Sequence, residues 1–268
     1  MMTTVNRQPL RLAVLFLLIC CFLIPSAAPA AADTTSAEPQ EASSGLLEGF
    51  YQDLLSFPID RELRPCYFAT LLTQLYLKNP DAREFCNRYL ELRNEEPTAD
   101  LSAYADLEGV PLFLQWDLQW GYFDYGGNLL GLSGCGPTTL AMAAYHFTGD
   151  PNMNPLTLAQ FALDNGYRYP GNGTAWSFMT QGARQLGLHS RVLGLSEWAM
   201  ADALENGELI ICIMGPGKFT ANGHYILLTG YEDGAFTVND CNSITRSQRT
   251  WTYDEICGEI LTLWAISG

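Results

Sequence analysis

The chain has few basic residues, and this scarcity limits the partners that it can bind. Its 268 residues include 14 Lys and Arg against 29 Asp and Glu, and the formal net charge is −15. The basic residues form no cluster along the sequence. Because binding to a phosphate backbone depends on patches of Lys and Arg, we expect no nucleic-acid partner.

The apolar run near the start of the chain is too short to cross a bilayer. It covers residues 12–24, whereas a membrane-spanning helix needs roughly 20 apolar residues. Arg7 and Arg11 precede this run, and small residues follow it from 26 to 32. This order is typical of a cleaved secretory signal. The sequence therefore predicts a signal peptide at residues 1–32, with no stable membrane insertion after cleavage.

Export gives a secreted or extracytoplasmic protein, and one alternative stays open. Cys20 and Cys21 lie within the apolar run and leave a lipid or membrane anchor possible, although Ile19 stands where lipoprotein signals have a small residue. Residues 33–45 are small and polar, with nothing to bury, and this composition predicts a flexible linker.

Metal-binding patterns are also missing. The sequence has three histidines, no Cys-x-x-Cys pair and no His/Cys cluster at zinc-finger spacing, so we expect no metal and no cofactor. In an exported protein, disulfides are permitted. Cys66 with Cys86, and Cys241 with Cys257, are the pairs that neighbouring predicted elements could join. Cys212 lies in an apolar run that predicts a buried strand, where a thiol is inert.

Residues 46–107 predict a helical extension and residues 108–268 a larger mixed domain. In the extension, apolar residues recur at helical spacing, and residues 79–81, Asn-Pro-Asp, separate two predicted helices. The extension is a packed unit or a pro-segment that covers a cleft and must move or be cut away.

The domain at residues 108–268 contains predicted helices first and strands second. Helices are predicted at 136–147, 155–165, 175–186, 196–205 and 253–257, with Thr174 and Ser196 as N-caps. Strands are predicted at 110–114, 188–193, 208–214, 223–231, 235–238 and 260–265. Residues 232–234, Glu-Asp-Gly, predict a hairpin in an antiparallel meander. Helices followed by such a sheet indicate an α+β fold.

Cys135 is the one thiol with a motif around it. It begins the predicted helix in the segment Ser-Gly-Cys-Gly-Pro-Thr-Thr, residues 133–139. The free N–H groups and positive end of a helix favour a thiolate, which is the nucleophilic form of cysteine. The flanking Gly134 and Gly136 let a carbonyl approach, and the same N–H groups could hold an oxyanion.

His224 and Asp240 are candidates for the base and its orienting acid. His224 begins a predicted strand after a flexible run, and Asp240 ends the next strand, sixteen residues later. A short hairpin brings these strand ends side by side, so Asp240 could fix the tautomer of His224. Asn239 could do similar work, but strand alternation lets only one of the two face the histidine. His146 and His189 lack such settings and are interpreted as structural.

Together these motifs resemble the C39-like peptidases of the papain-like superfamily. The resemblance rests on Cys-Gly-Pro at 135–137, Gly-His-Tyr at 223–225 and Asn-Asp at 239–240, and it covers roughly residues 108–266. Residues 110–117 also resemble the entry strand of the family, in which a Gln assists the oxyanion hole. The resemblance implies a papain-like cysteine peptidase fold, with the nucleophile helix packed on an antiparallel sheet behind the N-terminal helical extension.

The resemblance also implies roles for four residues. Cys135 is then the nucleophile, His224 the base, Asp240 the orienting residue and Gln115 the oxyanion donor. Papain-like enzymes usually place this Gln about six residues before the Cys, whereas Gln115 lies twenty residues before it, so Gln119 competes for the role. The best-known C39 domains are fused to transporters and cleave leader peptides, and that substrate does not carry over to this chain.

The sequence thus predicts an exported cysteine peptidase that cleaves peptide or protein substrates through a thioester intermediate. A transpeptidase or a cell-wall amidase uses the same residues and stays open. From a different class of protein, the alternative is a catalytically silent papain-fold binding or structural module at the cell surface.

Overall fold

The computed structural model describes residues 64–169 and 173–268. These residues lie in one compact unit. The predicted signal peptide, the linker and the start of the helical extension lie outside the described residues. Within the described ranges, no helix is both long and apolar enough to span a membrane.

The N-terminal part is helical, with the predicted break in place. Its helices are α1 (Arg64–Lys78), α2 (Arg83–Asn87) and α3 (Tyr89–Leu92), with a 3₁₀ turn at Pro80–Ala82. Asn79 ends the first helix and caps the 3₁₀ turn, because its side-chain oxygen accepts the N–H of Asp81 at 3.1 Å. Pro80 then occupies a first-turn position, where its missing N–H costs nothing.

Phe85 anchors this helical part against the rest of the chain. Its ring stacks on Tyr122 with centroids 4.5 Å apart, and the Tyr122 hydroxyl donates to the Phe85 carbonyl at 2.6 Å. The ring also approaches Gly121 and Gly131 so closely that a Cβ at either position would lie within 2.7 Å of it. The two glycines are therefore required by packing.

Seven further α-helices are described after residue 100. They are α4 (Leu130–Ser133), α5 (Cys135–Thr148), α6 (Pro155–Asp164), α7 (Gln181–Gln185), α8 (Glu197–Glu205), α9 (Ile244–Ser247) and α10 (Tyr253–Ile256). Short 3₁₀ turns lie at Ser102–Tyr104, Trp176–Met179 and Cys257–Glu259. Gly149 ends α5 in the left-handed region, at φ 63°. Ser196 caps α8 as predicted, accepting the N–H of Ala199.

The strands form a two-stranded and a six-stranded antiparallel sheet. The strands are β1 (Arg168–Tyr169), β2 (Gly173–Thr174), β3 (His189–Val192), β4 (Leu209–Met214), β5 (His224–Glu232), β6 (Ala235–Asn239), β7 (Thr250–Thr252) and β8 (Ile260–Ser267). The large sheet has the order β3-β8-β4-β5-β6-β7. Asp233 and Gly234 both have positive φ at the predicted hairpin between β5 and β6.

Helices cover both faces of the large sheet, which explains why β4 is an unbroken apolar run. Ile211 and Ile213 point to the face covered by α5 and α6, and they share one core with Leu140 and Leu158. Ile210 and Cys212 point to the other face and share a second core with residues of α8. A strand buried on both faces needs no polar alternation.

Three local predictions were wrong. Residues 110–114 form no strand, because Pro111 lacks an N–H and the Asn239 side chain instead donates to the carbonyls of Val110 and Pro111. Thr174 lies in β2 and caps no helix. The meander holds only from β4 to β7, because β8 returns between β3 and β4.

The predicted pairings of Cys66 with Cys86 and of Cys241 with Cys257 are also corrected. Cys86, Cys241 and Cys257 are free thiols. Cys241 is buried in the core on the α5 side of the sheet, whereas Ile256, beside Cys257, packs in the core on the opposite side. The sheet therefore separates the surroundings of the two cysteines.

Candidate active site

Cys135 is the first residue of α5 and is partly buried. Its neighbours Gly134 and Gly136 are required by packing: a Cβ on Gly134 would lie 2.3 Å from the Leu130 side chain, and one on Gly136 would lie 2.6 Å from Thr174. The space beside each glycine is thus filled by protein. The first-turn N–H groups of the helix nevertheless have no partner within the helix, and that of Gly136 contacts the Cys135 sulfur.

His224 lies beside the Cys135 thiol and changes its acidity. Burial raises the pKa of the thiol, whereas the contact with His224 and the charge of its ring lower it. N–H groups of Tyr225 and Gly136 act in the same direction, so the pKa of Cys135 lies below its usual value of 9.0. These contacts favour a thiolate at neutral pH.

Asp240 holds the other side of the His224 ring. Oδ1 of Asp240 lies 2.7 Å from Nε2 of His224, and both side chains are buried. Burial lowers the pKa of His224, but the charge of Asp240 and its hydrogen bond raise it, and the net pKa is about 10. Because Nε2 faces the carboxylate, Nδ1 is the nitrogen left for the thiol.

The Asp240 carboxylate has two further partners. Nε of Arg246 lies 2.5 Å from Oδ2, and the backbone N–H of Asn242 donates to Oδ1 at 2.8 Å. Burial raises the pKa of Asp240, but His224 and Arg246 lower it, and the net pKa lies below 3.8. The acid is therefore ionised although it is completely buried.

The neighbouring Asn239 faces away from the histidine. Its amide nitrogen donates to the carbonyl oxygens of Pro111 at 2.9 Å and Val110 at 3.3 Å. Of the two residues that the sequence offered, the structure therefore brings Asp240 to His224, as strand alternation predicts.

Gln115 is buried near the nucleophile, and Cys241 lies between them. Nε2 of Gln115 donates to the Gly131 carbonyl at 2.9 Å, and its Oε1 accepts the Cys241 thiol at 3.5 Å. The same Cys241 sulfur lies 3.8 Å from the carbonyl oxygen of Cys135. One N–H of the Gln115 amide is left over after these contacts.

The side chain of Gln119 is turned to a different segment. Its Oε1 accepts the backbone N–H of Asp100 at 2.7 Å, and its Nε2 lies 3.5 Å from the Asp100 carbonyl. Of the two glutamines, Gln115 is the one linked to the Cys135 segment.

The aromatic loop before the nucleophile contributes mostly to the core. Trp116, Trp120 and Tyr125 are buried, and the Trp120 indole donates to the Leu114 carbonyl at 2.9 Å. The Tyr125 hydroxyl bonds Thr174 at 2.8 Å, beside Gly136. Through Thr174, the loop therefore packs against the first turn of α5.

Three groups of the site could act together as metal ligands. Atoms of His224, Asp240 and Cys241 lie within 4.8 Å of one another. A metal needs the cysteine as thiolate, and burial, with the charges of Cys135 and Asp240, raises the pKa of Cys241 well above 9.0. The pairing of His224 with Asp240 also occupies the ring nitrogen nearest to the carboxylate.

Sequence reasoning missed Arg246, Cys241 and the N–H of Tyr225. Arg246 had a weak signal, because it is one of few cations and follows Asp240 by six residues. The other two had none: Cys241 resembles any core cysteine, and a backbone N–H leaves no trace in a sequence. His146, interpreted as structural, contacts the Gly109 carbonyl through Nδ1 at 3.0 Å.

A helix that begins with a cysteine, packed on an antiparallel sheet that carries a His–Asp pair, defines the papain-like fold class. The sequence profile of the Peptidase_C39 like family matches residues 107–268. The chain therefore belongs to that family, and the predicted α+β papain-like fold is confirmed.

Two solved structures are similar to part of this chain. The peptidase domain of Streptococcus ComA, a bifunctional ABC transporter involved in quorum sensing, is 22% identical, with a TM-score of 0.37, over 50% of this chain and 89% of that domain. A C39-like peptidase from Bacillus anthracis is 14% identical, with a TM-score of 0.39, over 60% of this chain and 98% of that one. No curated protein matches the chain.

Proposed function

We propose that this protein is a cysteine peptidase in which Cys135 is the nucleophile, His224 the general base and acid, and Asp240 the residue that orients the histidine. One observation carries the proposal: His224 lies between the Cys135 thiol, whose pKa it lowers, and a buried, ionised carboxylate to which it is hydrogen-bonded. The pKa of the thiol is lowered and that of the imidazole is raised, which favours a thiolate–imidazolium pair.

In the proposed reaction, the Cys135 thiolate attacks the carbonyl carbon of a peptide bond. The imidazolium of His224 then donates its proton to the leaving amine as the C–N bond breaks, and a thioester remains on Cys135. Neutral His224 next takes a proton from water, whose oxygen attacks the thioester and releases the acid. Asp240 stabilises the imidazolium without taking its proton.

The negative charge on the carbonyl oxygen needs donors. The backbone N–H of Cys135 and the remaining N–H of Gln115 are proposed as these donors. The other first-turn groups of α5 are not offered, because the Gly136 N–H contacts the sulfur, Pro137 has no N–H, and the Thr138 N–H donates to the Gly134 carbonyl at 3.1 Å. Burial of Gln115 and its link to the Cys135 segment through Cys241 support its role as a donor.

Membership of the peptidase family supports a peptide or protein substrate. Export belongs to the same proposal and rests on Arg7, Arg11 and the apolar run at 12–24. Sequencing the N-terminus of the protein recovered from its native host tests export, with a start near residue 31 or 33 as the expected result.

The first experiment measures how fast iodoacetamide alkylates Cys135 at pH 5–9, read by peptide mass spectrometry. We expect fast labelling well below pH 9 in the wild type. In His224→Ala, labelling at pH 7 should fall by ~100-fold, because loss of the imidazolium raises the thiol pKa by about two units. Active protein should then cleave a peptide library, and Cys135→Ala should not.

Two controls are available in the same chain. Burial raises the pKa of Cys86 to about 11, so this partly buried thiol should label slowly in every variant. His146→Ala removes a histidine of the nucleophile helix that does not contact Cys135, and it should leave the labelling rate unchanged. Slow labelling of Cys135 that does not depend on His224 would contradict the proposal and favour a silent binding module.

A further inference from the structure

Arg168 lies beside the nucleophile segment and has no role in the proposed reaction. It belongs to β1, and its guanidinium lies over the Tyr125 ring, 4.7 Å from the centroid. Nε donates to the Tyr125 carbonyl at 3.0 Å, and Nη2 donates to the hydroxyl of Ser133 at 3.3 Å. Ser133 precedes the nucleophile by two residues, so the cation lies next to the start of α5.

The charge of Arg168 is not neutralised by an ion pair in the described ranges. The ion pairs there involve other cations, namely Arg88, Arg191, Lys218, His224, Arg246 and Arg249. Asp124 acts on Arg168 electrostatically, and its carboxylate accepts the Gly127 N–H at 2.6 Å. In a chain with twice as many acids as bases, a half-buried arginine that forms no ion pair with any carboxylate of residues 64–169 or 173–268 is unusual.

The Arg168 guanidinium also has N–H groups that none of the contacts above uses. It carries five N–H groups, and Nε and Nη2 each use one as described. Nη1 uses one on the Tyr169 carbonyl at 3.3 Å. Counting contacts with the described part of the chain, one N–H therefore remains on each terminal nitrogen. Two parallel N–H donors on a cation match the two oxygens of a carboxylate, which is the commonest bidentate partner of arginine.

Burial lowers the pKa of Arg168, whereas the nearby Tyr125 and Cys135 raise it, and an arginine stays protonated under all ordinary conditions. A fixed positive charge within electrostatic range of the nucleophile attracts anionic substrate groups. Exposed aromatic side chains lie close by in sequence: Tyr169 is 54% exposed, and Trp176, two residues after β2, is 50% exposed. Such rings can contact the chain that carries the anion.

We propose that Arg168 is a specificity residue that binds a carboxylate of the substrate near the scissile bond. The inference rests on the proposed peptidase function and names its substrate class: peptides with an acidic side chain close to the cleaved bond, or with their own C-terminal carboxylate there. Both sources present the same carboxylate chemistry, and the experiment below separates them.

The first test compares two small alkylating agents of nearly equal size, iodoacetate and iodoacetamide, which differ in a carboxylate. The quantity measured is the ratio of the two labelling rates of Cys135 at pH 7. In Arg168→Gln we expect this ratio to fall about tenfold, while the iodoacetamide rate falls much less, because the charge of Arg168 also lies within electrostatic range of the thiolate. For Arg168→Lys, which keeps the charge, the rate ratio should lie between those of the wild type and Arg168→Gln. Arg88→Gln, at an exposed arginine outside the site, is the control.

The second test uses quenched peptides with Glu, Gln or Lys at each position around the cleaved bond, each with a free or amidated C-terminus. Arg168→Gln should lower kcat/KM by about 100-fold for the preferred carboxylate peptide and by less than about threefold for its amide counterpart. Loss confined to Glu peptides identifies a side-chain carboxylate, and loss confined to free C-termini identifies the chain end. Arg168→Glu should favour the Lys peptide.

Three results separate the possible failures. An unchanged reagent ratio in Arg168→Gln overturns the carboxylate site. Equal loss of iodoacetate and iodoacetamide labelling also overturns it, because Arg168 then acts on the thiolate. Slow labelling of wild-type Cys135 that does not depend on His224 instead contradicts the peptidase function itself.

Discussion

Asp240 is completely buried yet charged, and it influences the pKa values of both His224 and Cys135. Its charge raises the pKa of His224, and the charged imidazole in turn lowers the pKa of Cys135. The acidity of the thiol therefore depends on a carboxylate that is bonded to the histidine.

A variant that removes the charge of Asp240 but keeps the shape of its side chain tests whether the acidity of Cys135 depends on that charge. In Asp240→Asn, we expect the pKa of His224 to fall and that of Cys135 to rise, so iodoacetamide labelling at pH 6 should slow by about tenfold per pKa unit. The pH at which labelling reaches half its maximum should move upward. The matched control is Asn239→Ala, which loses contacts only to Val110 and Pro111. An unchanged profile in Asp240→Asn would remove the orienting role.

The helical N-terminal part contacts the segment that follows Asp240. The carboxylate of Asp81 lies 3.2 Å from the N–H of Thr245 and 3.4 Å from the Ser243 hydroxyl, at the start of α9. Asn79 donates to the Asn242 carbonyl at 2.6 Å. Arg246, which neutralises Asp240, belongs to this same short helix.

These contacts predict an effect on the site from a residue outside it. Asp81→Ala should lower the free energy of unfolding by about 1 kcal/mol and slow Cys135 labelling at pH 6 by several-fold, because α9 and Arg246 lose an anchor. Glu84→Ala, an exposed acid on α2, should change neither quantity. If only stability falls, the helical part stabilises the fold without supporting the acid. If labelling becomes faster, it acts as a cover, which is the pro-segment hypothesis.

The pH dependence of the stability of the molecule follows from two opposite pKa shifts. The pKa of His224 is raised from 6.5 to about 10, so its contribution is complete below pH 6.5 and is lost as the pH rises to 10. The pKa of Cys135 is lowered from 9.0, so its contribution is complete above pH 9 and is lost as the pH falls. Between pH 6.5 and 9 the two slopes oppose each other, because the folded state favours a protonated histidine and an ionised thiol, whereas the unfolded state favours a neutral histidine and a protonated thiol.

Removing the thiol should expose the histidine contribution. We expect Cys135→Ala to lose stability with rising pH between 6.5 and 9, relative to the wild type, by up to about 1.4 kcal/mol per pH unit. Urea unfolding at three pH values measures this slope. Cys212→Ala, at a buried thiol on the other face of the sheet, should run parallel to the wild type. A parallel curve for Cys135→Ala would mean that His224 is neutral in the folded protein.

Elements with local causes could be predicted from the sequence. The start of α5 at Cys135, the cap at Ser196 and the turn at Asp233 and Gly234 follow from residue types a few positions apart. His224 and Asp240 also fall in this group, because a short hairpin leaves the ends of its two strands side by side. Their meeting in space needed no knowledge of the rest of the fold.

Contacts between segments that are distant in sequence were decided only by the tertiary structure. Gln115 meets Cys241 across 126 residues, Asp81 meets Thr245 across 164, and Arg168 reaches Ser133 across 35. The periodicities and turn signals that a sequence displays act over a few residues, whereas these contacts arise when the sheet and its helices pack together. The elements that carry Cys135, His224 and Asp240 thus follow from local sequence signals, whereas the groups that surround these residues and shift their pKa values are placed by the packed core.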